Sequence, residues 1–104
     1  MTPAEAEKLL ATRKDVVVLD VRTPEEFAAG HLKGAKNIDV LDDSFAKNVA
    51  ALEGKPLLVH CASGGRSAQA LPLLDPTKFS QVFHLNGGYK AWTDAGKPTV
   101  KPAK

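Results

Sequence analysis

A single cysteine, Cys61, opens the stretch Cys61-Ala62-Ser63-Gly64-Gly65-Arg66-Ser67. A thiol acts as a nucleophile through its thiolate, which forms readily where backbone N–H groups and positive charge converge on the sulfur. The small residues after Cys61 let the chain curl so that successive N–H groups aim at one point, a nest for an anion. The start of a following helix adds positive potential there. Cys61 is therefore expected to be largely thiolate near neutral pH. Arg66 supplies a permanent charge and a planar fork suited to an oxyanion. A lone cysteine is ordinarily a small buried hydrophobe. Core packing, however, calls for neither two adjacent glycines nor an arginine directly after it.

The elements that must position this loop follow from capping signals and apolar runs. Thr2-Pro3-Ala4-Glu5 and Thr23-Pro24-Glu25-Glu26 each carry an N-cap hydroxyl, a proline at the first helical position and a glutamate three after the cap. They predict helices through about Leu10 and through Phe27, the second stopped by Gly30. Val16-Val17-Val18-Leu19 and Leu57-Leu58-Val59-His60-Cys61 are apolar runs without alternation, the pattern of strands covered on both faces of a parallel sheet. An extended piece spans about 35–40, and a helix is predicted from about Ser44 to Leu52, with Phe45, Val49 and Leu52 on one stripe. Pro72 should kink or shorten the helix that begins near Arg66. Gln81-Val82-Phe83-His84-Leu85 reads as the last strand, and Tyr89–Trp92 as a final helical turn. Strands separated by helices in this order predict an α/β domain with a mainly parallel sheet. Ligands of such sheets bind beyond the carboxyl ends of the strands, where Cys61 stands.

Among the remaining polar residues, Asp20 and Arg22 end a strand beside the loop and read as an ion pair or loop anchor rather than as direct participants. His60 falls on the opposite face of its strand from Cys61, and so reads as packed or bonded. His31 reads as a histidine bonded to a turn carbonyl, His84 as a residue at the core edge, and Trp92 and Phe27 as core.

The chain has 104 residues and a net charge of +2, with 14 Lys and Arg against 12 Asp and Glu. At this size roughly two thirds of the unfolded surface can be buried, enough for one core. The charge is too small and dispersed to argue for nucleic acid, and no apolar run approaches the roughly 18 residues of a membrane span. No secretory leader precedes Thr2, so a soluble chain is expected, cytoplasmic, or periplasmic if a leader has been removed. One cysteine and three scattered histidines exclude an internal disulfide and offer no clustered zinc spacing. No metal and no cofactor are expected.

The loop resembles that of the rhodanese-like domains, a sulfurtransferase family whose active loop reads Cys-x-x-Gly-x-Arg-Ser. Two further signatures of that family sit in order around it. Before the loop come Asp20-Val21-Arg22, Pro24-Glu25-Glu26-Phe27 and Gly30-His31-Leu32-x-Gly34-Ala35-x-Asn37-Ile38; after it comes Leu85-x-Gly87-Gly88-x-x-Ala91-Trp92. The resemblance covers nearly all of Val16 to Val100. It implies a single three-layer domain over residues 1–104, with a core of about 16–96, a loose tail over 97–104, and a mainly parallel sheet of four or five strands with helices on both faces. The count is left at four or five because members usually open with a short edge strand, for which Met1-Thr2-Pro3 leaves no room.

For function, the resemblance implies that Cys61 takes a sulfane sulfur from a donor such as thiosulfate and passes it from a persulfide to a thiol or to cyanide. Ala62, Ser63, Gly64, Gly65, Arg66 and Ser67 would line the loop and hold substrate. Where some members carry an extra arginine for thiosulfate, this stretch offers Glu25 and Glu26. The implied partners are a small sulfur donor, a small thiophilic acceptor and a sulfur-acceptor protein, with the chain itself a monomer. The second reading is a binding or regulatory module, or a persulfide carrier, on the same fold. A cysteine phosphatase ranks third, because phosphatase loops place one residue more between Cys and Arg than the four of Ala62-Ser63-Gly64-Gly65.

Overall fold

The structure, a computed structural model, describes residues 1–62, 65–75 and 77–101. Four strands, β1 (Val17–Asp20), β2 (Lys36–Asn37), β3 (Pro56–His60) and β4 (Gln81–His84), form one sheet in the order β2-β1-β3-β4. All three pairings are parallel, with Asp20 opposite His60 and Val59 opposite His84. The helices are α1 (Pro3–Thr12), α2 (Pro24–Ala29), α3 (Phe45–Val49), α4 (Gly65–Ala70) and α5 (Gly88–Asp94).

Parallel strands need crossovers, and helices cover both faces of the sheet, with the terminal helices α1 and α5 closing one of them. Leu57, Val59 and Cys61 of β3 and its end face one side, with Phe45 and Val49 of α3 and Ala70 at the end of α4. Leu58 faces the other, with Ala6 of α1 and Trp92 of α5. This two-sided cover is why the apolar runs show no alternation, and β3 is buried throughout. Deleting a side chain as enclosed as Leu58 costs about 2–5 kcal/mol.

Both capping boxes form: Thr2 and Glu5 exchange backbone N–H bonds at 2.9 and 3.2 Å, and Thr23 and Glu26 at 3.2 and 3.4 Å. α4 ends at Ala70 and passes into a 3-10 turn over Leu71–Leu73. Pro72 has no N–H to give the carbonyl of Ala68, which ends the α-helical ladder there. The single helix expected from Ser44 to Leu52 is α3 followed by a 3-10 turn over Ala50–Leu52.

Two expectations need correction. Residues 97–100 are not loose: Trp92 Nε1 donates to Pro98 O at 2.8 Å, Lys97 Nζ meets Glu7 at 2.8 Å, and His31 and Val100 exchange backbone bonds at 2.8 Å. The lysine and proline content that marked a tail gives way to a buried indole that needs an acceptor. Phe27 is half-buried rather than core, lying flat on the His31 ring with centroids 3.8 Å apart. Residues 102–104 lie outside the described residues. Among the described residues no helix is long and apolar enough to cross a membrane.

Candidate active site

Cys61 follows the last residue of β3 and is 1% exposed. Ser67, two residues into α4, donates from Oγ to the cysteine sulfur at 3.4 Å. The entry to the loop is clamped by α5, whose Tyr89 N–H donates to Cys61 O and whose Lys90 N–H donates to Ala62 O, both at 2.8 Å. Gly88 makes this approach possible, since a β-carbon there would overlap the Cys61 carbonyl oxygen, while Gly87 and Gly88 both turn the chain at φ of 75° and 61°, a conformation in which a side chain is strained. Gly88 therefore positions the cysteine peptide, although it lies far along the chain.

The opposite face of the same sheet end holds a buried ion pair. Arg22 grips Asp20 with Nε at 3.0 Å and Nη2 at 2.8 Å, and its Nη2 also donates to Gly30 O at 2.7 Å. Its guanidinium lies 4.1 Å from the centre of the Tyr89 ring, and Asn37 donates to the carbonyls of both Asp20 and Arg22. One charged pair thus ties together the ends of β1, α2, β2 and α5. His60 joins it, fully buried, with Nε2 3.7 Å from Asp20 Oδ2 and Nδ1 donating to Cys61 O at 3.1 Å. Burial pushes the His60 value down, against the raising effect of the Asp20 charge. His31 donates to Phe27 O at 3.0 Å through Nδ1.

Arg66 is bidentate to Glu26, Nη1 to Oε1 at 2.5 Å and Nη2 to Oε2 at 2.9 Å. The fork expected to face an oxyanion is thus closed on a carboxylate of α2. Arg66 holds the Glu26 carboxyl down to about 2, and Glu26 in turn raises Arg66. A lesser part of that rise comes from charge on Cys61, so the arginine lies within electrostatic reach of the sulfur.

The family model of the rhodanese-like domain matches residues 2–95. The chain belongs to the rhodanese-like domain family. It is 39% identical over 93 residues to "Thiosulfate sulfurtransferase GlpE" of Pseudomonas putida, covering 86% of this chain and 81% of that protein. It is 37% identical over 86 residues to an uncharacterised Synechocystis protein, covering 83% of this chain but only 48% of that relative. The crystal structure of a rhodanese-related protein from Thermoplasma volcanium superposes with a TM-score of 0.85 at 29% identity, covering 98% of this chain and 97% of that one.

In this rhodanese-like domain the structure brings Cys61, Ala62, Gly65, Arg66 and Ser67 to one sheet end, while Ser63 and Gly64 lie outside the described residues. Asp20 and Arg22 sit behind it, on the α5 side. Two contacts escaped the sequence reading. Glu26 serves both as the capping-box carboxylate of α2 and as the partner of Arg66, 40 residues on. His84, read as a core-edge residue, places Nε2 2.6 Å from Ser67 Oγ. The strand parity of Val82 and His84 was the available signal, since it puts His84 on the cysteine face.

Proposed function

We propose that this rhodanese-like domain is a thiosulfate sulfurtransferase-type enzyme working through a persulfide on Cys61. The Cys61 thiolate attacks the outer sulfur of thiosulfate, the S–S bond of the donor breaks, and sulfite leaves with the bonding electrons. Cys61 then carries a persulfide anion. A thiophilic acceptor, cyanide in an assay, attacks the outer sulfur; the new S–S bond breaks, thiocyanate forms, and the thiolate returns. Charge develops at sulfur in one half and on sulfite oxygens in the other, so donors already in place at the cysteine lower both barriers.

The observation that carries this reading is the seat of the Cys61 sulfur, beyond the carboxyl end of an inner strand, with the Ser67 hydroxyl donating to it at 3.4 Å. The likeness to a protein named thiosulfate sulfurtransferase supports thiosulfate as donor. Intact mass spectrometry after incubation with thiosulfate tests it. The mass should rise by one sulfur, fall back with cyanide, and stay unchanged in Cys61→Ser. A wild-type protein that gains no sulfur leaves a binding module on the same fold.

A further inference from the structure

The carboxyl ends of β3 and β4 lie side by side, with Val59 opposite His84. Alternation sends the His84 side chain to the face that carries Cys61 and α4. There its Nε2 stands 2.6 Å from Ser67 Oγ, the same oxygen that donates to Cys61 Sγ at 3.4 Å. A hydroxyl has one proton to donate and lone pairs with which to accept. With that proton given to sulfur, the short contact to His84 requires the oxygen to accept, and therefore requires the imidazole to carry its proton on Nε2.

We propose that His84 is a positioning residue, whose Nε2–H donates to Ser67 Oγ and so commits the Ser67 proton to the sulfur of Cys61. The use of this arrangement rests on the sulfur-transfer reading: when the acceptor attacks the outer sulfur, Cys61 leaves as a thiolate, and an aligned O–H stabilises the charge as it forms. Loss of the histidine removes the N–H that fixes the direction of the Ser67 hydroxyl.

The surroundings favour a neutral ring. Burial, and then the terminal ammonium of Met1, hold His84 below its ordinary value; that ammonium donates to His84 O at 2.6 Å. The other charged or titratable groups nearby are His60 across β3 and, beside Ser67 on α4, Arg66 with its partner Glu26. Of these, Arg66 directs both terminal nitrogens to Glu26.

The test compares His84→Leu, His84→Gln and Ser67→Ala by two readouts: the pH profile of Cys61 alkylation by iodoacetamide, and the rate at which cyanide discharges the preloaded persulfide. Loss of a hydrogen bond to a charged sulfur should move the alkylation midpoint up by about one pH unit in His84→Leu and in Ser67→Ala, and slow discharge roughly tenfold. His84→Gln, whose amide N–H can take the place of Nε2–H, should keep the wild-type midpoint. The double variant His84→Leu with Ser67→Ala should shift no further than either alone. An alkylation midpoint unchanged in His84→Leu, or additive shifts in the double variant, overturns the proposal. His84→Asn, too short to reach Ser67, replaces the leucine variant if that one does not fold. Alkylation needs no sulfur donor, so a wild-type protein that takes no sulfur from thiosulfate would defeat the transfer reading while leaving the role of His84 decided by the midpoints.

Discussion

Gly88 presses its α-carbon against the peptide that joins Cys61 to Ala62. A β-carbon at position 88 would overlap the Cys61 carbonyl oxygen and stand 3.0 Å from both the carbonyl carbon and the oxygen of Ala62. The backbone at Gly88 also has φ of 61°. Gly88→Ala should therefore suffer twice, from strain of about 1–3 kcal/mol and from displacement of the cysteine peptide. Gly34→Ala is the control, because Gly34 shares a positive φ of 78° but a β-carbon there meets nothing within 4 Å. Denaturant midpoints should fall in both variants and further in Gly88→Ala, which alone should lose sulfur uptake. Equal midpoints and equal uptake would show that the close approach does not matter.

Asp20→Asn should destabilise the protein severely. It leaves the Arg22 guanidinium, 4% exposed, without its counter-charge. Breaking one side of a buried pair costs about 3–5 kcal/mol, which for a domain of this size lowers the thermal midpoint by more than about 10 °C. Thermal unfolding followed by circular dichroism measures this, and a midpoint within 2–3 °C (roughly 0.5 kcal/mol) of wild type would contradict it.

Arg66→Lys and Arg66→Ala should separate activity from stability. The Arg66–Glu26 pair is partly solvated, with side chains 25% and 35% exposed, so its loss should cost at most about 1 kcal/mol. Turnover with thiosulfate should instead fall roughly a hundredfold in Arg66→Ala, which removes the permanent charge beside the cysteine where sulfite charge develops, and less in Arg66→Lys, which keeps a point charge there although the fork itself is held by Glu26. Steady-state rates measured beside thermal midpoints check this. An alanine variant with unchanged turnover would remove Arg66 from the site.

Glu26 predicts an acid limb of stability. Its folded value is lowered from 4.5 to about 2, first by Arg66. Between those values the unfolded chain binds the proton that the folded chain refuses, so stability rises with pH across the window and is lost as pH falls toward 2. Glu26→Gln should flatten that part of the profile. Urea midpoints taken from pH 2 to 5 on both proteins test it, and parallel profiles would show that Glu26 does not contribute.

The local code of this chain was open to reading from its residues alone. Two capping boxes place two helices, because an N-cap threonine and a glutamate three residues on satisfy each other within one turn. The unalternating run through Leu57, Leu58 and Val59 declares a strand covered on both faces, and Pro72 marks where α4 must stop. Cys61 and its glycine-rich loop stand out as a candidate site by residue type and spacing. What joins distant segments was not legible in the same way. Glu26 reaching Arg66, Gly88 bearing on Cys61, Val100 pairing with His31, and His84 completing a path through Ser67 to sulfur all depend on which strands become neighbours. Hydrogen bonds and packing act over a few ångströms in space, whereas capping and periodicity act over a few residues along the chain. Only the sheet order β2-β1-β3-β4, which sets the ends of β3 and β4 side by side, turns His84 from an edge residue into a neighbour of the cysteine.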